Sequence, residues 1–350
     1  MRRFLCSLML LSSLCFAAAD AAETQPFTFS YDDLTYSGEV MLPEAPARGI
    51  VIIIPGDGPT EFVGGNQFLG EREFLVRQGF NVAYWDKAGC GKSEGTYNQG
   101  QSITSSAQEA IAAIEAVQGL GLSGSDRIGA WGISRGGWVV PKITELSDTI
   151  EFWISVSGTV EVNNARYMLE ANLRAEERDE EEIALLMSEW DENQRIFTRG
   201  GSLAEYNAAT QNLMKDPYYN SNNFQMTAET LAGIQSWFQS GEMEIDDETN
   251  QIVVYPDLES TLSALAIPVL AVLGRKDTQV DWQAAGELYQ RAAESGDMQL
   301  TTVYLDDCNH VMQRSLTGYV YEELPPDSPA CDGYYEALES WLALNVPSGN

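Results

Sequence analysis

The sequence has few basic residues. Lysine and arginine together number 20 against 52 aspartates and glutamates, which gives a formal net charge of −32. Nucleic-acid binding depends largely on lysine and arginine at phosphates, and anionic lipid surfaces attract the same residues. The composition therefore excludes nucleic acid as a partner and argues against docking on acidic membranes.

Histidine and cysteine are also scarce. His310 is the only histidine, and the five cysteines include no Cys-x-x-Cys pair. Protein zinc sites combine several of these residues at short spacings, so no metal site is expected. The sequence has no G-x-x-x-x-G-K-[ST] motif, and no G-x-G-x-x-G follows a predicted strand. No nucleotide cofactor is therefore expected either.

Long apolar runs are confined to the N-terminus. Residues 1–21 begin with two arginines after the methionine, continue with an apolar run from Phe4 to Ala19, and end in small residues. This order is typical of a secretory signal peptide, with cleavage after Ala19 or Ala21. A lipid anchor at Cys15 is disfavoured because a leucine precedes it. We expect export to the periplasm or the medium, without stable membrane insertion after processing.

Processing would leave three cysteines in an oxidising compartment. Cys308 and Cys331 lie in the same C-terminal segment and could pair, in which case Cys90 would be a free thiol. The sequence carries no signal for the oligomeric state.

Short apolar runs alternate with amphipathic segments along most of the chain. The run 50–54 is continuously β-branched, which is typical of a strand buried on both faces. The alternation predicts an α/β fold with a mostly parallel, doubly wound sheet. An antiparallel hairpin is expected at 28–31 and 39–42. The other predicted strands are 80–85, 127–131, 152–156, 268–273 and 299–305, and the predicted helices are 67–78, 104–117, 136–146, 282–294 and 334–344.

The alternation stops between residues 160 and 260. This segment is acidic, helical in pattern and rich in large apolar side chains. We interpret it as a helical cap that lies over the site as a lid, where aromatic residues such as Trp190 and Trp237 could line a substrate pocket. The predicted organisation is a signal peptide at 1–21, a first core part at 22–159, the cap at 160–260 and a second core part at 261–350.

A G-x-S-x-G motif lies between a predicted strand and a predicted helix. It consists of Gly132, Ser134 and Gly136 with Ile133 and Arg135 between them. In this context the motif predicts a nucleophile elbow, which presents the serine at the carboxyl edge of the sheet. The glycines let strand and helix pack closely. The N–H group of Arg135 faces the same space and can donate to an oxyanion.

A serine nucleophile needs a base, and the base needs an acid that orients it. His310 follows the last predicted strand, from which it can reach across the sheet edge. Asp277 follows the preceding strand and is the expected acid, with Asp281 as the alternative. The chain order Ser134, Asp277, His310 is that of the α/β-hydrolase triad.

A second oxyanion donor is expected in the loop 55–59, directly after the first buried strand. We assign this donor to the N–H group of Asp57. The carboxylate of Asp57 would oppose negative charge on an oxyanion, so this side chain must point away or have another role.

Four stretches resemble the α/β-hydrolase superfamily of serine hydrolases, in particular the serine-aminopeptidase-like (S33) domains and their secreted esterase relatives. Where that group often has His-Gly in the first loop, this chain has Pro55 and Gly56. The stretches are 55–60, 84–93, 132–137, and Gly274 to Asp277 together with Asn309 and His310.

The resemblance implies hydrolysis of an ester, or less often an amide, through an acyl-enzyme and without a cofactor. The leading hypothesis is a secreted carboxylesterase for a small-molecule ester. The alternatives are an aminopeptidase or amidase acting on a short peptide, and a non-catalytic binding module on the same fold.

Overall fold

The computed structural model describes residues 22–241, 244–325 and 328–347, so the expected signal peptide at 1–21 lies outside the described residues. The strands are β1 (Glu23–Tyr31), β2 (Leu34–Leu42), β3 (Ile50–Ile54), β4 (Asn81–Trp85), β5 (Ile128–Ile133), β6 (Ile150–Val156), β7 (Glu244–Ile245), β8 (Ile252–Val253), β9 (Pro268–Gly274) and β10 (Gln299–Leu305). The α-helices are α1 (Leu69–Arg77), α2 (Ile103–Gln118), α3 (Gly136–Leu146), α4 (Ala165–Ala175), α5 (Glu180–Arg199), α6 (Leu203–Ala209), α7 (Ala228–Phe238), α8 (Leu258–Ser263), α9 (Trp282–Ser295) and α10 (Tyr334–Asn345).

An eight-stranded sheet forms the centre of the molecule, with strand order β1-β2-β4-β3-β5-β6-β9-β10. The six strands β4, β3, β5, β6, β9 and β10 pair in parallel with their neighbours in this series. Strand β2 is antiparallel to both of its neighbours, β1 and β4. The predicted mostly parallel sheet and leading hairpin are confirmed. Parallel strands bring their carboxyl ends to one edge, where ligands bind in open α/β sheets.

Helices cover both faces of this sheet. Successive residues of a strand point to opposite faces, and β3 is buried throughout. Ile52 and Ile54 pack into a cluster with residues of α2, α3 and α9. Val51 and Ile53 pack into a second cluster with residues of α1 and α10. The continuous β-branched run of β3 is therefore explained by burial on both sides.

The cap leaves the sheet after β6 and returns before β9. Its two ends meet, because Val162 and Val253 form an antiparallel bridge and the N–H group of Val254 donates to the carbonyl oxygen of Glu161 at 2.8 Å. The cap also contains the small antiparallel pair of β7 and β8. The sequence predicted only helices here, because strands of two residues show no alternation.

The C-terminal boundary of the cap lies earlier in the chain than the sequence indicated. A boundary at residue 260 falls inside α8, and Leu258 and Leu262 of that helix are fully buried in the main core cluster. The helix therefore belongs to the sheet domain. The sequence pattern of a short helix next to an insertion does not show whether the helix packs with the cap or with the sheet domain.

Most large apolar side chains of the cap form cores of the cap itself. Trp190 is 3% exposed and packs with Leu186, Met187 and other residues of the first cap cluster. Trp237 is 50% exposed and contacts the neighbouring Phe238. Trp190 is thus part of the interior of the cap rather than a wall of a substrate pocket. No helix in the described ranges is long and apolar enough to cross a membrane.

A disulfide joins Cys308 to Cys331, with the two Cα atoms 5.5 Å apart, and Cys90 is a buried free thiol. The pairing considered from the sequence is thereby confirmed. The N–H group of Cys331 also donates to the carbonyl oxygen of Met312 at 2.8 Å. The loop that carries His310 is therefore attached to the segment before α10.

Replacement of Cys308 and Cys331 by serine is expected to lower the free energy of unfolding by about 3 kcal/mol, because the disulfide closes a loop of some two dozen residues in the unfolded chain. Urea unfolding of the purified protein measures this difference. Cys90→Ala is the matched control, since it removes a buried thiol and leaves the disulfide intact. Equal stability of the double variant and the wild type would contradict the expectation.

Candidate active site

Ser134 lies at the sharp turn between β5 and α3. Its φ angle is 55°, in the left-handed region that non-glycine residues rarely adopt. The turn is held because the N–H group of Ser134 donates to the carbonyl oxygen of Val156 at 3.0 Å, and the N–H group of Gly137 donates to the carbonyl oxygen of Ser134 at 2.7 Å. Strain of this kind persists only where the surroundings enforce it, and it is common at active sites.

The glycines around Ser134 allow this turn because they permit close approach of other backbone. A Cβ atom at Gly132 would lie 3.3 Å from the carbonyl oxygen of Gly136, and one at Gly136 would lie 3.0 Å from that of Ile54. A Cβ atom at Gly137 would lie 2.7 Å from the backbone nitrogen of Thr159. A side chain would thus be tightly confined at the expected elbow positions, and it would clash with backbone at Gly137, which the motif alone did not single out.

The structure brings His310 and Asp277 together at the same sheet edge. His310 Nδ1 lies 2.8 Å from Asp277 Oδ2, and the two residues are 8% and 2% exposed. A carboxylate accepts hydrogen bonds, so this contact places the proton on Nδ1 and leaves Nε2 as the basic nitrogen. The pair has the geometry of a general base with its orienting acid.

Both oxygens of the Asp277 carboxylate are engaged. Oδ1 accepts from the N–H groups of Gln279 at 2.8 Å and Val280 at 2.9 Å, while Oδ2 faces the imidazole. The alternative acid, Asp281, instead caps α9 and accepts from the N–H groups at the start of that helix. Of the two aspartates, the geometry places Asp277 against His310.

Two further contacts hold the loops of the base and the acid, and sequence reasoning gave their donors, Ser157 and Lys276, no role. Ser157 Oγ, at the end of β6, donates to the carbonyl oxygen of His310 at 2.8 Å. The N–H group of Lys276 donates to the carbonyl oxygen of Cys308 at 3.0 Å. The only sequence signal for Ser157 was its position at a strand end.

The cap is fixed to the loop that carries Asp277. The hydroxyl of Tyr167, on α4, donates to the carbonyl oxygen of Asp277 at 2.7 Å. The fully buried Asn172, further along the same helix, donates to the carbonyl oxygen of Thr278 at 3.0 Å and accepts from the N–H group of Val320 at 2.9 Å. Helix α4 therefore lies at the carboxyl edge of the sheet, beside the histidine–aspartate pair.

The two expected oxyanion donors are free to bind a ligand. Within the described part of the chain, no hydrogen bond uses the N–H group of Asp57 or of Arg135. Gly56 lies against the nucleophile, since a Cβ atom there would be 3.0 Å from Ser134 Cβ. One unpaired N–H group thus belongs to the residue after the serine, and the other lies in the loop that Gly56 brings against it; stabilisation of an oxyanion requires such free donors.

The side chain of Asp57 has a partner outside the oxyanion position. Its Oδ1 atom lies 3.6 Å from Arg135 Nη1 in an ion pair. The carboxylate is thus partly neutralised by the residue that carries the other oxyanion donor. The Asp57 side chain thus faces a cation, and its exposure to solvent further weakens its repulsion of an oxyanion.

Among the described residues, no cluster of three or more histidine, cysteine, aspartate or glutamate side chains is placed to hold a metal ion.

Ser134 Oγ and the His310 ring form no hydrogen bond to each other in the described structure. Such contacts often tighten only when substrate binds.

Comparison with solved structures identifies the fold. The chain is similar to esterase Pf2001 of Pyrococcus furiosus, with 14% identity over 92% of each chain and a TM-score of 0.52. It is also similar to DcsB, solved in complex with its substrate analogue, with 16% identity over 93% of this chain and 99% of that chain and a TM-score of 0.52. The α/β-hydrolase fold expected from the sequence is confirmed.

The family is identified by a match between the sequence and a family model. The model of the X-Pro dipeptidyl-peptidase (S15) family matches residues 19–312, so the chain belongs to the S15 family. The comparison with curated proteins gave no match. The chain is therefore a serine hydrolase of the α/β-hydrolase fold, as the motifs indicated, and the matching family within that fold is S15.

Asp277→Asn is expected to lower kcat/KM by roughly 10⁴-fold, because an amide opposite Nδ1 favours the wrong imidazole tautomer. Asp281→Asn is the matched control and should change the rate little, since asparagine caps helices as well as aspartate does. Steady-state hydrolysis of a nitrophenyl ester by both variants measures the difference. A larger loss of kcat/KM in Asp281→Asn than in Asp277→Asn would instead identify Asp281 as the orienting acid.

Proposed function

We propose that the protein is a carboxylesterase that hydrolyses a small-molecule ester through an acyl-enzyme. The observation that carries this proposal is the combination of a strained serine at the end of β5 with the His310–Asp277 contact of 2.8 Å at the same edge. A hydroxyl nucleophile, a base and an orienting acid are the three groups that acyl transfer requires.

The proposed reaction uses five residues. His310 Nε2 removes the proton of Ser134 Oγ as the oxygen attacks the ester carbonyl, and Asp277 stabilises the imidazolium that forms. The N–H groups of Asp57 and Arg135 donate to the oxyanion of the tetrahedral intermediate. The imidazolium then protonates the leaving alcohol. In the second half, water attacks the acyl-enzyme, again with His310 as base, and releases the acid.

The charges beside the nucleophile support an ester over a peptide. A dipeptidyl peptidase must hold the charged amino terminus of its substrate close to the scissile bond, which requires an available carboxylate. Asp57 is paired with Arg135, and Asp277 is buried against His310. A neutral ester needs no such anchor.

The second candidate is an X-Pro dipeptidyl peptidase, and the S15 family match favours it. The same serine, base and oxyanion donors would cleave a peptide after proline, with the imidazolium protonating an amine instead of an alcohol. The two candidates differ in the leaving group and in the recognition of the substrate amine.

Parallel assays separate the two functions. We expect higher kcat/KM on unactivated alkyl esters of short acids than on Ala-Pro-p-nitroanilide, with both activities lost in Ser134→Ala because no nucleophile remains. Ala-Ala-p-nitroanilide is the matched control substrate, since it has the amine without the proline. Faster turnover of the Ala-Pro substrate than of any ester tested, together with discrimination against Ala-Ala, would replace the esterase by the peptidase.

We further propose that the protein is exported. The N-terminal pattern of residues 1–21 and the Cys308–Cys331 disulfide support this, because disulfides persist mainly in oxidising compartments. Mass spectrometry of the protein from the periplasm or medium should give a chain that begins at Asp20 or Ala22. An unprocessed chain confined to the cytosol would contradict export.

A further inference from the structure

Lys87 is a charged residue beside the site to which the reaction gives no role. It follows the last residue of β4 by two positions, and β4 is the neighbour of β3 in the sheet. Its ammonium group donates to the carbonyl oxygen of Gly56 at 2.6 Å and to that of Gly58 at 2.9 Å. Both acceptors lie in the loop 55–59, on either side of the expected oxyanion donor Asp57.

We propose that Lys87 is a positioning residue whose ammonium group holds the loop 55–59 in the conformation that presents the Asp57 N–H group to the oxyanion. This inference rests on the proposed acyl-transfer reaction and adds to it the group that orients one donor.

The direction of the Asp57 N–H group follows from peptide geometry. The described residues contain no cis peptide bond. In a trans peptide the carbonyl oxygen of one residue and the N–H group of the next point in opposite directions. When Lys87 fixes the carbonyl oxygen of Gly56, the N–H group of Asp57 must therefore point away from Lys87. Gly56 itself lies against Ser134, so this donor is held next to the nucleophile.

The loop needs such a tether because two of its residues are glycines. Gly58 has a φ angle of 92°, which residues with a side chain rarely adopt, and a Cβ atom added there would meet no described atom within 4 Å outside its chain neighbours. Glycine also has the largest conformational freedom of any residue. Two charge-assisted hydrogen bonds to the carbonyl oxygens of this loop restrict that freedom.

The ion pair between Asp57 and Arg135 is a weaker restraint on the same loop. The side chain of Asp57 is 58% exposed, against 13% for Arg135. Ion pairs with an exposed partner contribute little, because solvent screens them. The hydrogen bonds from Lys87 are directed and partly shielded from solvent, so they determine the loop conformation to a greater extent.

The backbone of Lys87 is itself well anchored. The buried carboxylate of Asp86 accepts from the N–H groups of Phe62, Val63 and Lys92. The N–H group of Lys87 donates to the carbonyl oxygen of Thr60 at 3.2 Å. The ammonium group therefore extends from a fixed point, as a positioning role requires.

The charge of Lys87 is sensitive to alkaline pH. Burial lowers the pKa of Lys87 to about 8, Asp57 opposes this shift, and Arg135 adds to it. The ammonium form is present below this pH and is lost as the pH rises through it, which weakens the hold on the loop. The titratable and charged groups around Lys87 are Asp57 in the loop, Arg135 at the elbow, Glu109 on α2, and Cys90 and Tyr97 after β4.

Three variants test the proposal against a nitrophenyl ester between pH 6 and pH 10. Lys87→Met removes the ammonium and should lower kcat by roughly 100-fold, the loss typical of one oxyanion donor, with a much smaller change in KM. Lys87→Arg should restore much of kcat and move the alkaline loss to higher pH. Lys92→Met, which alters an exposed lysine in the same turn, is the matched control and should keep the wild-type profile.

The pH profile distinguishes positioning from a merely structural role. Wild-type kcat should fall above about pH 8, and this fall should be absent from the residual activity of Lys87→Met. Unchanged kcat in Lys87→Met, or an alkaline fall that persists in it, would overturn the proposal. If Lys87→Met fails to fold, Lys87→Arg decides instead. The proposal would be overturned if kcat fell at the same alkaline midpoint pH in the wild type and in Lys87→Arg.

Labelling of Ser134 by a fluorophosphonate in the wild type separates this test from that of the proposed function. A wild type that neither labels nor hydrolyses the ester contradicts the hydrolase reaction and the positioning role that rests on it. A wild type that labels and turns over, beside a Lys87→Met variant of equal kcat, contradicts the role of Lys87 alone.

Discussion

The contact between the loop after β3 and the turn after β5 is the constraint on which the rest of the site depends. Ser134 adopts a φ angle of 55° where the two segments lie so close that a Cβ atom at Gly56 would be 3.0 Å from Ser134 Cβ, and one at Gly136 would be 3.0 Å from the carbonyl oxygen of Ile54. Neighbouring parallel strands, β3 and β5, deliver both segments to one edge. The packing of the sheet itself therefore sets the position of the nucleophile and of Gly56, where the loop with the Asp57 donor begins.

The base and the acid are attached to this frame by connections between loops. Ser157 holds the backbone of His310, the disulfide of Cys308 anchors the same loop, and Tyr167 and Asn172 join the cap to the Asp277 loop. The cap thus contributes to the order of the catalytic loops.

Much of the fold and of the active site could be predicted from local sequence patterns. The β-branched run of β3, the G-x-S-x-G motif and the strand-end positions of Asp277 and His310 are all signals within a few residues, and the alternation of strands with helices predicted the parallel sheet. Lys87 and Asn172 could not be found in this way, since they act on residues 31 and 106 positions away. The side of α5 on which Trp190 lies was equally undetermined, because a helical period does not say what covers its apolar face.

The proposed reaction requires a covalent acyl intermediate on Ser134. An acid quench in the first turnover of a nitrophenyl ester, followed by peptide mapping by mass spectrometry, detects this intermediate. We expect one acyl group, on the peptide that contains Ser134, formed together with the burst of nitrophenol. Release of nitrophenol in full turnover with no acylated peptide, or with the acyl group on another residue, would contradict it.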